Sequence, residues 1–119
     1  MHELSVTQNL LALAQQYGTE AGAARVTDLY LVMGPFSSIV DDSVQFYWDL
    51  IAEDTLCQGA TLHFDRIPAR LACQDCGTEY EIRRELAFCP TCQSSNVKIL
   101  QGDEFRLESI GIDIQREFA

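Results

Sequence analysis

Two cysteine pairs constrain this chain more than any other feature. Cys73-Gln-Asp-Cys76 is followed by Gly77, and Cys89-Pro-Thr-Cys92 comes after a twelve-residue spacer. Two residues between cysteines let one tight turn aim both sulfurs at a single ion. A glycine after the second cysteine, or a proline after the first, suits that turn. Two such turns complete a tetrahedral site of four thiolates, which is closed to substrate and therefore stabilises without catalysing. Zinc is the metal expected on Cys73, Cys76, Cys89 and Cys92. Four thiolates also hold iron, which would make a coloured, rubredoxin-like electron carrier. The remaining cysteine, Cys57, stands alone and reads as a core residue.

At 119 residues the chain has room for one domain or two small ones. A metal staple would help hold the smaller part, whose core is limited. Eighteen acidic residues against eight basic ones give a net charge of −10, which repels phosphate backbones and argues against nucleic-acid binding. The start, Met-His-Glu-Leu-Ser-Val, lacks the basic region and long apolar run of a secretory signal. No stretch approaches the roughly 18 apolar residues of a membrane span. A cytoplasmic location is the expectation, and there cysteines serve as metal ligands or free thiols rather than as disulfides.

Val6, Leu10, Leu13 and Tyr17 recur at helical spacing and predict an amphipathic helix over 3–17, with Gly18 as its stop. Residues 25–33, rich in Val, Leu and Tyr, read as a buried strand that Gly34-Pro35 ends. A second helix starts near Asp42, a candidate N-cap with Gln45 three residues on, and presents Val44, Tyr47, Trp48 and Ile51. Gly59 opens a strand in which Leu62 and Phe64 alternate with His63 and Asp65, and Pro68 ends it. Within 71–102 the cysteine pairs bracket a short hairpin, in which Tyr80, Ile82, Leu86 and Phe88 alternate with charged residues. After a turn at Gly102-Asp103, Phe105 and Leu107 alternate in one phase and Ile110, Ile112 and Ile114 in the other. That slip predicts a bulge or a change of packing environment near 108–109. The last strand is read as returning to the first sheet. The expected fold is α+β: a small mixed sheet packed with two helices, plus an inserted four-cysteine zinc ribbon.

Met1-His2-Glu3 is the second informative feature. The α-amine and the His2 amide nitrogen close a five-membered ring on a metal. The His2 amide and its imidazole Nδ1 close a six-membered one. Three nitrogens in a plane suit Ni²⁺ or Cu²⁺. The fourth position is open to Glu3, to another acid such as Asp41, to water or to a partner's group. The plainer alternative is an incidental histidine.

Met1-His2-Glu3-Leu4-Ser5, a buried strand ending in Met33-Gly34, the Val40-Asp41 segment before a helix carrying Phe46, and the paired cysteine motifs occur in that order. From residue 1 to about residue 116 the chain resembles the HypA family, accessory proteins that insert nickel during NiFe-hydrogenase maturation. The resemblance implies an α+β nickel-binding domain over 1–68 and 104–119, with a zinc-binding domain over 69–103. It implies nickel on His2 and on backbone nitrogen at Met1, with Glu3 and Asp41 at positions near the metal. It also implies a GTPase partner, HypB, and delivery to the hydrogenase large-subunit precursor. A monomer or weak homodimer is the expected state. The chain carries no GxxxxGKS/T motif, so it is not itself the GTPase. No nucleophile–base pair points to an enzyme. The competing reading is a zinc-ribbon interaction module without nickel delivery. The basic surface such a module uses in transcription is missing, since 71–102 sets Arg83, Arg84 and Lys98 against Asp75, Glu79, Glu81 and Glu85.

Overall fold

The computed structural model describes residues 3–83 and 87–114; Met1, His2, Arg84, Glu85 and Leu86 lie outside the described residues. In chain order the elements are α1 (Glu3–Glu20), β1 (Ala23–Met33), α2 (Asp41–Ile51), β2 (Thr61–Arg66), β3 (Ala69–Cys73), β4 (Glu79–Ile82), β5 (Val97–Gln101) and β6 (Phe105–Ile114). Contacts divide the chain into two compact units. One is Met1–Leu31, Ile39–Phe64 and Leu107–Ala119; the other is Val32–Ser38 and Asp65–Arg106.

The first unit is built on a three-stranded sheet of order β2-β1-β6, so the last strand does pair with the first. Its core is Val26, Leu29 and Leu31 of β1 with Leu10 and Ala14 of α1 and Val44 and Trp48 of α2. The two helices lie against each other. On β1 and β2 the exposed positions carry a polar group. His63 Nε2 lies 2.8 Å from Asp28 Oδ1, and the His63 ring stacks on Tyr30 with centroids 4.6 Å apart. That hydrogen bond holds the Asp28 carboxyl below its ordinary range.

The first helix differs from expectation in both face and length. Its buried residues are Thr7, Leu10, Ala14 and Gly18, while Leu13 and Tyr17 are 37% and 43% exposed. Gly18 is the reason. A Cβ there would lie 2.8 Å from Val26 Cγ2 and 3.0 Å from Leu56 Cδ2. Gly18 marks the closest approach of helix to strand, and seating it turns the larger Leu13 and Tyr17 outward. The helix ends instead at Glu20, and the chain turns at Gly22, whose φ is +72°. Ala21 N donates to Tyr17 O at 3.0 Å just before it, a normal C-terminal closure.

The second helix begins at Asp41, with Val40 as N-cap and no side-chain cap bond. Asp41 Oδ1 accepts the Asp42 amide at 2.9 Å, and Gln45 Nε2 donates to Asp49 Oδ1 at 2.9 Å. The capping box expected at Asp42 is therefore replaced by two acids in the first turn, which interact favourably with the helix dipole.

In the second unit β3 is the centre of a sheet of order β4-β3-β5 and runs antiparallel to both neighbours. Ala69, Leu71 and Cys73 alternate inward along β3. Leu71 stands opposite Tyr80 on one side and Ile99 on the other. The strand expected to pair β4 from around Phe88 is not the one used. The partner of β4 is β3, and Phe88 is 67% exposed. In β6 the half-buried positions pass from Phe105 and Leu107 to Ile110 and Ile112, the phase change seen in the sequence; Ile114 is 65% exposed.

The Gly18 contact sets a test. Alanine in a helix is favoured over glycine by about 1 kcal/mol, but overpacking against a buried strand costs about 1–3 kcal/mol. Packing should win, so Gly18→Ala should lower unfolding stability by about 1 kcal/mol in urea titrations. A rise in stability would mean that the helix can lift off Val26 freely.

Candidate metal centre

The two cysteine turns are built alike. In the first, Gly77 N donates to Cys73 O at 2.9 Å and Cys73 N to Thr78 O at 2.8 Å. In the second, Gln93 N donates to Cys89 O at 2.8 Å and Cys89 N to Ser94 O at 3.1 Å. Both turns close on a residue with positive φ, +79° at Gly77 and +60° at Gln93. Each turn gives one buried cysteine, Cys73 or Cys89, and one exposed, Cys76 or Cys92.

The four sulfurs converge. Cys73 Sγ is 3.5 Å from Cys92 Sγ, and Cys76 Sγ is 3.5 Å from Cys89 Sγ. All four lie within 4.8 Å of one another. A disulfide would need about 2.05 Å. A tetrahedral zinc thiolate, with bonds of about 2.3 Å, needs sulfur–sulfur edges of about 3.8 Å. The donor set and its spacing fit a zinc site, and four such thiolates would fill every position around the ion.

Groups beside the sulfurs favour thiolates unequally. The Thr78 hydroxyl and then its backbone N–H bring the Cys76 thiol down to about 6. The Cys92 and Thr91 backbone amides lower Cys89. At Cys92 the Ser94 amide pulls the same way, but crowding by the other sulfurs outweighs it and the thiol is pushed up to about 12. A divalent cation resolves this competition by stabilising every thiolate at once. The two turns are also tied to each other without metal. Asp75 accepts hydrogen bonds from Ser94 Oγ and, at 3.2 Å, from Asn96 Nδ2. Thr78 Oγ1 donates to Thr91 Oγ1 at 3.2 Å. Cys57 stands apart. It is fully buried, and burial pushes its thiol up to about 11.

The cysteine spacing picks out the four converging sulfurs but not the residues that support them, Asp75, Thr78, Ser94 and Gln93. Gln93 is readable in principle, because it follows Cys92 as Gly77 follows Cys76. The other candidate site residues are at helix starts. Glu3 opens α1 and, with Leu4, Ser5, Ser43 and Tyr47, lines a cavity of about 250 Å³. Asp41 opens α2, two residues before Ser43. Met1 and His2 lie outside the described residues.

An α+β unit joined to a four-cysteine ribbon defines the class: a small two-unit metal-site protein with a closed structural centre. Likeness to known proteins narrows it. The chain matches the family model described as "HypA: Hydrogenase/urease nickel incorporation, metallochaperone, hypA" over residues 1–112. A hydrogenase maturation factor HypA of Dehalococcoides mccartyi is 40% identical over 113 residues, 95% of this chain and 95% of that one. A hydrogenase maturation factor HybF of Klebsiella pneumoniae is 37% identical over 110 residues, 92% of this chain and 97% of its own. The solution structure of the Ni metallochaperone HypA from Helicobacter pylori is similar at a TM-score of 0.68 and 27% identity, covering 97% of this chain and 100% of that one. The chain belongs to the HypA family of hydrogenase maturation metallochaperones.

The positive φ at Gln93 gives the prediction for this centre. Left-handed backbone costs a side-chain-bearing residue about 1 kcal/mol that glycine does not meet. Gln93→Gly should therefore leave metal content unchanged and raise the melting temperature of the metal-bound protein slightly. A lower melting temperature would mean that the Gln93 side chain makes contacts worth more than the strain.

Proposed function

We propose that this chain is a nickel metallochaperone that binds Ni²⁺ at its N-terminus and helps insert it into the NiFe-hydrogenase large subunit. In this reading a structural zinc sits on Cys73, Cys76, Cys89 and Cys92. The observation that carries it is the family match running from residue 1 through both cysteine pairs. The relatives named above are hydrogenase maturation factors, which supports hydrogenase as the recipient.

The nickel ligands in this reading are the Met1 amine and His2, with Glu3 and Asp41 as the nearby carboxylates. Support comes from the helix starts: Glu3 opens α1, Asp41 opens α2, and the two helices are packed together. The two metals then sit in opposite kinds of site. Four thiolates leave the zinc no free position, so it stays. Three planar nitrogens leave nickel an open one, so an incoming ligand can attack before any bond breaks. The nickel-binding part is 1–68 with 104–119, and the zinc-binding part is 69–103. The chain works in the cytoplasm as a monomer or weak homodimer with a HypB-type GTPase, and it catalyses no reaction itself. No helix among the described residues is long and apolar enough to cross a membrane, and the net charge of −10 disfavours nucleic acid.

Two experiments test the two sites separately. Cys73→Ser should lose zinc and loosen the second unit first, because metal binding there is folding free energy; Cys57→Ser should keep its zinc. Equal zinc in wild type and Cys73→Ser would refute the four-cysteine site. For nickel, His2→Ala should abolish tight binding in calorimetry while zinc stays bound. One residue added before Met1 should weaken nickel binding even with His2 present, because the amine leaves its five-membered ring. Acidification acts in the same direction, since protons compete for an imidazole of reference pKa about 6.5. Nickel bound as tightly by His2→Ala as by wild type would remove the N-terminal site from the proposal.

A further inference from the structure

Helix α2 buries one face and leaves the opposite one uncovered. Val44 and Trp48 point into the core. Phe46 and Leu50, one helical turn apart, are each 61% exposed. Asp49 lies beside them at helical spacing, and Glu53 follows just past the helix end. This face of α2 therefore sets two large exposed apolar side chains beside two exposed carboxylates.

The stripe ends at a cavity of about 270 Å³ bordered by Trp48, Asp49, Glu53, Gln58 and Gly59. Its two carboxylates face solvent, whereas its indole N–H does not. Glu53 has no hydrogen bond or ion pair among the described residues. Trp48 is 1% exposed, and its Nε1–H has no acceptor among the described residues. A buried indole N–H left without a partner is destabilising. One Asp49 oxygen accepts from Gln45 at 2.9 Å, which fixes that carboxylate beside the cavity.

We propose that the exposed face of α2, with the cavity at its end, is a docking site for a basic amphipathic segment of a partner protein. Apolar side chains of that segment cover Phe46 and Leu50. A Lys or Arg side chain enters the cavity and meets the carboxylates of Glu53 and Asp49. Charge fixes the occupant's chemistry: the stripe carries acids and no base, on a chain of net charge −10. An acidic or neutral apolar partner would leave both carboxylates desolvated and unpaired, whereas a basic one is also steered in from a distance.

Trp48 is the chain's single tryptophan, so its indole N–H gives one unambiguous NMR signal. The probe is an acetylated, amidated peptide of Leu, Lys and Ala, with Leu and Lys spaced to share one helical face. Titrated into the full chain, it should move the indole resonance saturably. A peptide with Glu at every Lys should not. Asp49→Asn with Glu53→Gln should weaken binding at least about tenfold, as should Phe46→Ala with Leu50→Ala. Asp65→Asn with Asp103→Asn removes the same charge from the second unit and should change binding less than about twofold. Three results would overturn the proposal. The charge-matched control could weaken binding equally, leaving only attraction to net charge. The indole could stay still while the peptide binds elsewhere. The chain could instead dimerise through Phe46 and Leu50 and exclude the peptide, which would assign the face to a second copy.

Discussion

Four sulfurs within 4.8 Å are the constraint on which the second unit depends. Among its described residues that unit buries few apolar side chains: Val32, Met33, Ala69 and Leu71, besides Cys73 and Cys89 themselves. So small a core leaves little to offset the entropy of ordering its three short strands. A bound divalent ion supplies what apolar area cannot, and it does so where β3 ends at Cys73. The hydrogen bonds of Asp75 and Thr78 pre-align the two turns, so the metal closes a shape that the chain already favours.

In the proposed reading, a closed centre also keeps the two metals apart. Four mutually supported thiolates leave zinc no position at which an incoming ligand could begin an exchange. The proposed nickel nitrogens lie at the very start of the chain, where few ligands come from the protein and one can be traded. Permanence and lability come from the number of positions the protein fills around the ion, and the chain separates the two kinds of site by some seventy residues.

Much of this architecture is legible in the order of the residues. The cysteine spacing announces the ribbon, and the phase change between Leu107 and Ile110 announces that the last strand serves two environments. What the residues do not display has physical causes. Periodicity places Leu13 and Tyr17 inward because it weighs side-chain size. The helix is instead rotated by the smallest residue on it, Gly18, whose missing Cβ lets α1 sit on Val26. Asp42 reads as a cap because its side chain could serve, yet the neighbouring Asp41 takes the Asp42 amide. The strands β3 and β5 are hard to read because they are short. The inward positions of β3 are partly alanine and cysteine, and Ile99 and Leu100 of β5 are 50% and 45% exposed. For Met1 and His2, the ligands of the proposed nickel site, only the chemistry of the sequence speaks.

The pairing of β6 with β1 bears on how the chain is made. During synthesis β1 and β2 emerge first, and the partner that completes their sheet starts only at Phe105. Until then one edge of β1 presents unpaired amides and carbonyls, a template for the wrong neighbour. Closing the sheet means bridging the stretch from Arg66 to Phe105, and a ribbon already clasped by its ion shortens that search. An ion held by the four cysteines would thus also favour a sheet that contributes none of those sulfurs.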